Sequence, residues 1–349
     1  MTVAATKAPG RYHVRVQEYL TFREQGFLLV RGLVPPGEVD ALRAHTEDVI
    51  HGRLELPGIP EAPLGAAGRG HSAILDPGRL SEVERRYVRI HMLHRQLEIH
   101  ERFLLHPRIL DVLEALIGPD VLAMQTMLFL KPPGADGQGW HQDSYYIPTL
   151  PDSLCGAWLA IDRADEANGC MHFAVGSQHE PIYPDERNRA RLYPAGAPVD
   201  LADIEHASDT DETRNGLTPV ARRYAEREVC ASAEPGDVVF FGGHILHRSL
   251  ANTTTDRFRR AFVGHYANAR SYTDWGGGNG AHILARGRTH LPFAQPRFGT
   301  PCAANRPPAA SEGTPAETMM ADGDGMATTP TDRARLEPGE HQHGGGPAT

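Results

Sequence analysis

The chain has 349 residues, 40% of them hydrophobic and 23% charged, with a formal net charge of −9. That balance belongs to a folded soluble protein and excludes a general nucleic-acid binder, which needs a basic patch or stripe. The N-terminus lacks the apolar core of a signal peptide and no stretch is apolar enough to span a bilayer, so a cytoplasmic protein without a membrane partner is expected.

Residues 1–14 read as an N-terminal arm. Val16 to Gln25 carries spaced apolar residues and predicts a helix, and Gly26 to Val34 predicts a strand. Pro35-Pro36-Gly37 breaks it, and Glu38 to Ile50 returns to helix spacing with Val39, Leu42 and Val49. Residues 56–72, rich in Gly and Pro, form a loop. Leu80 to Ile117 is expected to be largely helical, with Ile109, Leu110, Leu113 and Leu116 on one face, until Gly118-Pro119 ends it.

From residue 120 the period changes. Val121 to Leu130, Leu154 to Ile161, Met171 to Val175, Asp237 to Phe241 and Arg260 to Tyr266 are short apolar runs separated by Gly, Pro, Asn and Asp. This is the pattern of antiparallel strands in a sandwich or jelly roll. The fold expected is mainly β with flanking helices: a double-stranded β-helix, cupin-like, with the N-terminal helices packed on one sheet. Residues 180–229, polar and acidic, read as a lid inserted between strands. One domain spans 15–301, and the Ala-, Pro- and Gly-rich tail 302–349 is expected to be disordered, its His341 and His343 forming no catalytic site. Cys155, Cys170, Cys230 and Cys302 lack CxxC spacing and read as reduced, mostly buried thiols.

The chemistry lies in Trp140-His141-Gln142-Asp143 and, much later, His244-Ile245-Leu246-His247-Arg248-Ser249. On a strand, side chains two apart share a face, so His141 and Asp143 can grip one ion together. A distant histidine then completes a two-histidine, one-carboxylate site that leaves coordination positions open, as in non-haem Fe(II) oxygenases. Either His244 or His247 supplies it; each alone is more often a structural histidine. Asp256-Arg257-Phe258-Arg259-Arg260 begins a strand with three arginines, and one pointing inward would suit a carboxylate. Tyr145, Tyr146, His172 and Trp275 are candidates for the substrate rim, although each is more often plain packing.

Taken together, Gly26-Phe27-Leu28-Leu29-Val30, Lys131-Pro132-Pro133-Gly134, Trp140-His141-Gln142-Asp143, Asn168-Gly169-Cys170, Gly236-Asp237-Val238-Val239-Phe240 and His247-Arg248-Ser249 with Asn252 and Arg259 resemble the phytanoyl-CoA dioxygenase (PhyH-like) family over roughly residues 15–300. The resemblance implies Fe(II) on His141, Asp143 and His247, with 2-oxoglutarate as cosubstrate and O2 as oxidant. It further implies Arg259 at the distal carboxylate of 2-oxoglutarate, Ser249 adding a hydrogen bond, and Met127 and Trp158 lining that pocket. Arg259 lies slightly further from His247 than the family's arginine, which leaves Arg257 and Arg260 as alternatives. The activity implied is oxidation of a small-molecule C–H bond with release of succinate and CO2, by a monomer or homodimer. Two other readings remain: a cupin-like metal enzyme that does not use 2-oxoglutarate, needing no such arginine, and a non-catalytic ligand-binding barrel.

Overall fold

A computed structural model describes residues 10–50, 53–54, 88–198, 200–289 and 293–298. The expected loop 56–72 and the expected tail 302–349 lie outside the described residues, as do Cys302, His341 and His343.

Eleven strands are described: β1 (Phe27–Val30), β2 (Val88–His91), β3 (Val121–Lys131), β4 (Gln138–His141), β5 (Cys155–Ala160), β6 (Met171–Ala174), β7 (Glu228–Ala231), β8 (Val238–Gly242), β9 (His247–Ser249), β10 (Arg259–Asn268) and β11 (Ile283–Arg286). They form two antiparallel sheets. The larger runs β1-β8-β5-β10-β3-β11, with β2 also on β3; the smaller runs β4-β9-β6-β7. This is the expected jelly roll.

The two faces of the large sheet explain its nearly unbroken apolar runs. Phe27, Trp158, Val239, Phe241 and Val263 point inward, against Met171 and Phe173 of the small sheet. Their neighbours Leu28, Leu159, Val238, Phe240 and Phe262 point outward into a second core. There they meet Val39, Leu42 and Val49 of α2 (Pro36–Ile50) and Ile109 and Leu113 of α4 (Pro107–Ile117). A sheet covered on both faces has no solvent side for polar residues, so strict alternation is lost. The helices therefore pack on one sheet, as expected. Before them, α1 (Val16–Gln25) ends at Gly26, whose left-handed φ of +80° turns the chain straight into β1.

Two expectations need correction. Within the segment expected to be helical, Val88–His91 is a strand paired with β3; helix occurs in α3 (Glu98–Leu104) and α4 only after a short 3-10 turn. Val-Arg-Ile-His alternates apolar and polar, the strand period, and an available sheet edge decides the outcome. The second concerns the cysteines. Cys155 is free and buried, but Cys170 and Cys230 form a disulfide across 60 residues. They meet because β6 and β7 pair with His172 opposite Cys230, a contact made by sheet register that local spacing does not reveal.

Among its described residues the expected lid carries two short helices, α6 (Arg189–Leu192) and α7 (Thr218–Arg222), turns and the start of β7. Asn215 fastens it to the small sheet by donating to the backbone oxygens of Trp140 and Asp209, both at 3.0 Å.

Phe240 is fully buried on the outer face of the large sheet. Phe240→Ala is expected to lower stability by about 3–5 kcal/mol through lost burial plus a cavity, read as a reduced urea midpoint. A loss under about 1 kcal/mol would show that the helices do not seal this face.

Candidate metal centre and its cavity

Register assembles the site. In the small sheet β9 pairs with β4 so that His141 faces His247, and with β6 so that Phe173 faces His247. The β4–β9 ladder is irregular between Gln138 and His141, the kind of bulge that re-aims a side chain. Asp143 lies just past the end of β4, at the start of the short helix α5 (Asp143–Tyr146). It is thus not on the strand itself, but Gln142 between them is extended, with φ −121° and ψ 129°, and keeps both side chains on one side.

The ligand atoms of His141, Asp143 and His247 all lie within 4.8 Å of one another. Asp143 Oδ1 is 3.8 Å from His141 Nε2 and 3.7 Å from His247 Nε2. His141 Nδ1 donates to the Gly139 carbonyl at 2.8 Å, and His247 Nδ1 to the Ile245 carbonyl at 3.0 Å. A backbone carbonyl only accepts, so each Nδ1 carries the proton and each Nε2 lone pair faces its partners. Burial, then the neighbouring His247, pushes His141 down to about 3, so its ring is neutral. Burial alone would raise Asp143, yet His247, His265 and His141 together hold it well below the usual carboxylate range. Two imidazoles and a carboxylate are a donor set fitted to a divalent cation of the Fe(II) type. Gly139 carries no Cβ because one would stand 1.8 Å from the Asp209 carbonyl oxygen. His244, the alternative ligand, turns away: its Nδ1 meets the Glu180 carbonyl at 2.8 Å and its Nε2 lies 3.3 Å from Asp152.

Two residues overlooked in the sequence support Asp143. His265 Nε2 donates to Asp143 Oδ2 at 2.9 Å, and Gln125 Nε2 donates to His265 Nδ1 at 3.0 Å. Gln138, also overlooked, has its amide nitrogen 3.1 Å from His141 Nε2; a bound cation would take over that lone pair and turn the carboxamide.

The triad opens into a cavity of about 1170 Å³ lined by Met127, Trp158, Ser249, Arg259 and His265 among others. Strand β10 supplies Arg259, Val263 and His265 from alternate positions, which is why all three face it. Of the three sequence arginines, Arg259 alone lines this space. Arg257 pairs with Asp165 at 2.7 Å, and Arg260 points outward to Asp162 at 2.6 Å and to Glu47. Arg259 is 2% exposed; its Nε donates to the Gly169 carbonyl at 3.2 Å and its guanidinium lies 5.7 Å from the Trp158 ring centre. Gly169 itself has φ +78°, and a Cβ there would stand 2.3 Å from the Leu250 carbonyl oxygen.

Lys131 is a further residue that the strand pattern hid. It faces Arg259 across the β3–β10 ladder, is fully buried, and its Nζ donates to Ser249 Oγ at 3.0 Å and to the Leu250 carbonyl at 2.5 Å. Burial, then the Arg259 charge, pulls Lys131 down to about 5.

Tyr145, Tyr146 and Trp275 line the cavity, as do Arg187, Arg191 and Ser208 of the expected lid. Tyr146 Oη and Ser208 Oγ are 2.6 Å apart. His172 does not line it. Met171 lines the cavity and Phe173 packs on His247, so His172 between them points to the opposite face and meets Glu228.

Comparison with known proteins adds the following. The family model described as phytanoyl-CoA dioxygenase (PhyH) matches residues 22–261. A probable phytanoyl-CoA dioxygenase of Caenorhabditis elegans is 27% identical over 255 residues, 71% of this chain and 73% of the relative. The peroxisomal phytanoyl-CoA dioxygenase of Homo sapiens is 26% identical over 253 residues, 71% and 67% of the two chains. Among solved structures, the non-heme alpha ketoglutarate dependent carbocyclase SnoK from nogalamycin biosynthesis aligns with a TM-score of 0.54 at 20% identity, covering 76% of this chain and 89% of its own. The apo form of the non-heme monooxygenase ThoJ aligns with a TM-score of 0.54 at 22% identity, covering 80% and 88%. At these identities the two structures bear on fold alone.

Removing His265 frees one oxygen of Asp143 inside a buried site. His265→Ala is expected to weaken divalent-metal affinity roughly 10–100-fold with the fold retained, by equilibrium metal binding and circular dichroism. Unchanged affinity would show that Asp143 is oriented without it.

Proposed function

The chain belongs to the phytanoyl-CoA dioxygenase family, and on that premise we propose that it is an Fe(II)- and 2-oxoglutarate-dependent dioxygenase acting on an unactivated C–H bond of a small molecule, with release of succinate and CO2. The observation that carries the reading is one cavity bearing a His141–Asp143–His247 donor set and a buried Arg259 beside Lys131 and Ser249. A metal enzyme that uses no 2-oxoglutarate has no need of a buried guanidinium with an amine and a hydroxyl beside it. Cytoplasmic location and a monomeric or homodimeric state are part of the proposal; among the described residues no helix is long and apolar enough to cross a membrane.

The roles follow from position. His141, Asp143 and His247 would hold Fe(II), which when bound supplies the redox chemistry that couples O2 and 2-oxoglutarate decarboxylation to substrate oxidation. Arg259 would grip the distal carboxylate of 2-oxoglutarate, with Lys131 and Ser249 beside it as donors. Trp158 and Met127 would form the walls of that end and fix its orientation. His265 would keep Asp143 Oδ2 occupied, leaving Oδ1 to the metal. Tyr145, Tyr146 and Trp275 would meet the substrate at the mouth. At about 1170 Å³ the cavity exceeds the roughly 300–1,000 Å³ of an ordinary ligand pocket, leaving room for a substrate beside the cosubstrate.

The test is an anaerobic titration of the metal-free protein with Fe(II) and 2-oxoglutarate, followed by the visible metal-to-ligand charge-transfer band. The wild type should develop the band and His247→Ala should not. Arg259→Ala should bind 2-oxoglutarate more weakly by about 2–5 kcal/mol, the range for breaking a buried charge pair. No band from a wild type that still binds metal would sink the 2-oxoglutarate reading.

A pH dependence follows from Lys131, held at about 5 by burial and Arg259. A dianion beside it favours the ammonium, so its pKa rises on binding and the complex takes up a proton at neutral pH. Affinity for 2-oxoglutarate should therefore fall as pH rises from about 5 through the pKa that Lys131 has in the complex. Calorimetry in buffers of differing ionisation enthalpy reads the uptake, and Lys131→Met should abolish it; no uptake in the wild type would remove Lys131 from the cosubstrate site.

A further inference from the structure

The outer face of the small sheet carries a second cluster. Cys170 immediately precedes β6, His172 lies within it, and Cys230 on β7 stands opposite His172. Both sulfurs and a ring nitrogen of His172 lie within 4.8 Å of one another, the sulfurs joined as a disulfide. A structural disulfide does not require the histidine, and the histidine is set in an unusual way. It is 7% exposed, and its Nδ1 lies 2.9 Å from Glu228 Oε1. A carboxylate oxygen only accepts, so Nδ1 carries the proton and, in the neutral ring, Nε2 presents a lone pair. That Nε2 is buried without any hydrogen-bond partner. Leaving a buried polar atom unsatisfied costs about 1–3 kcal/mol, whereas an imidazole fixed by a carboxylate on one nitrogen is the usual form of a metal-binding histidine. Glu228 is held in turn by Arg248, whose Nη2 lies 2.8 Å from Oε1 and 3.2 Å from Oε2. Cys170 is buried, but Cys230 is only partly so, with its Sγ 3.6 Å from Ser232 Oγ, which gives a reductant a way in.

We propose that Cys170, His172 and Cys230 form a redox-gated site for a thiophilic divalent cation such as zinc. In the oxidised chain the sulfurs are bonded to each other and the site is closed. A dithiol reductant delivers two electrons and two protons to the S–S bond, giving two thiols and becoming a disulfide itself. The cation then displaces both thiol protons, and Cys170 Sγ, Cys230 Sγ and His172 Nε2 ligate it, with water in the fourth position. Sulfur ligands separate this site from the nitrogen- and oxygen-only triad in the cavity, so the two select different metals. The site also anchors functional backbone: Gly169, next to Cys170, accepts the Arg259 hydrogen bond, and Met171 lines the cavity.

The experiment uses the full chain with Co(II) as probe, in an air-oxidised sample and in one reduced with dithiothreitol and desalted anaerobically. The chain has four cysteines and the Cys170–Cys230 bond takes up two of them, so denatured samples should titrate two thiols when oxidised and four when reduced. At one equivalent of Co(II) the reduced sample should show thiolate-to-cobalt charge-transfer absorption, and the oxidised sample none. The band should vanish in Cys230→Ser, weaken in His172→Ala and persist in Cys302→Ser. Zinc should shield Cys170 and Cys230 from alkylation, as mapped by mass spectrometry. A reduced wild type with four titrated thiols and no band overturns the proposal, as does a band that survives Cys230→Ser or shielding of other cysteines. Four thiols in the oxidised sample overturn its redox gate. The wild type in its two states decides the matter even if a variant misfolds, and no readout depends on Fe(II) or 2-oxoglutarate.

Discussion

A carboxylate buried between two sheets sets the terms for everything around it. Asp143 is 9% exposed, and an ionised carboxylate taken from water costs several kcal/mol unless it is fully compensated. Its compensation comes from three histidines on three strands: His141 on β4, His247 on β9 and His265 on β10. Two belong to the small sheet and one to the large. Asp143 is therefore satisfied only when the sandwich is closed, and the closed sandwich delivers two imidazole nitrogens beside its oxygen. Folding and construction of the donor set are one event.

The opposite end of the cavity holds the reverse problem. Lys131 and Arg259 are direct partners across a ladder and both are buried. Two adjacent cations in low dielectric repel, and the softer one yields: the lysine gives up its proton more readily while the guanidinium stays charged. Such an arrangement is complementary to an anion. A site that stores positive charge at one end and presents a metal donor set at the other favours a ligand with a chelating head and an anionic tail.

The sequence made the outline of this legible where periodicity and local motif coincide. The strand runs were visible because the large sheet is apolar on both faces, and His141-x-Asp143 because its ligands are two residues apart. What escaped depends on contacts between distant strands. His265 belongs to the same alternating series as Arg259 and Val263, and following that series along β10 would have found it. The same series separates Arg259 from Arg260, since neighbours on a strand face opposite ways. Gln125 and Lys131 sit in one long apolar strand whose register no local signal gives. Met171 and Phe173 leave His172 only the face away from the cavity, contrary to its expected place at the substrate rim, and the Cys170–Cys230 bond spans 60 residues.

Register is consequently the quantity the small sheet must protect. On β9, His247 and Ser249 line the cavity, while the Arg248 guanidinium is held by Glu228 and stacks 4.5 Å from the Trp140 ring centre. A slip of one residue would exchange these faces, putting a guanidinium where the imidazole belongs. Three features oppose the slip: the Arg248–Trp140 stack, the irregularity of β4 between Gln138 and His141, and the covalent tie between the β6 and β7 segments. Neither the stack nor the disulfide touches the ligand atoms, yet each fixes which side of a strand those atoms occupy. In a β-sandwich that choice is binary, so features on the outer face decide the chemistry of the inner one.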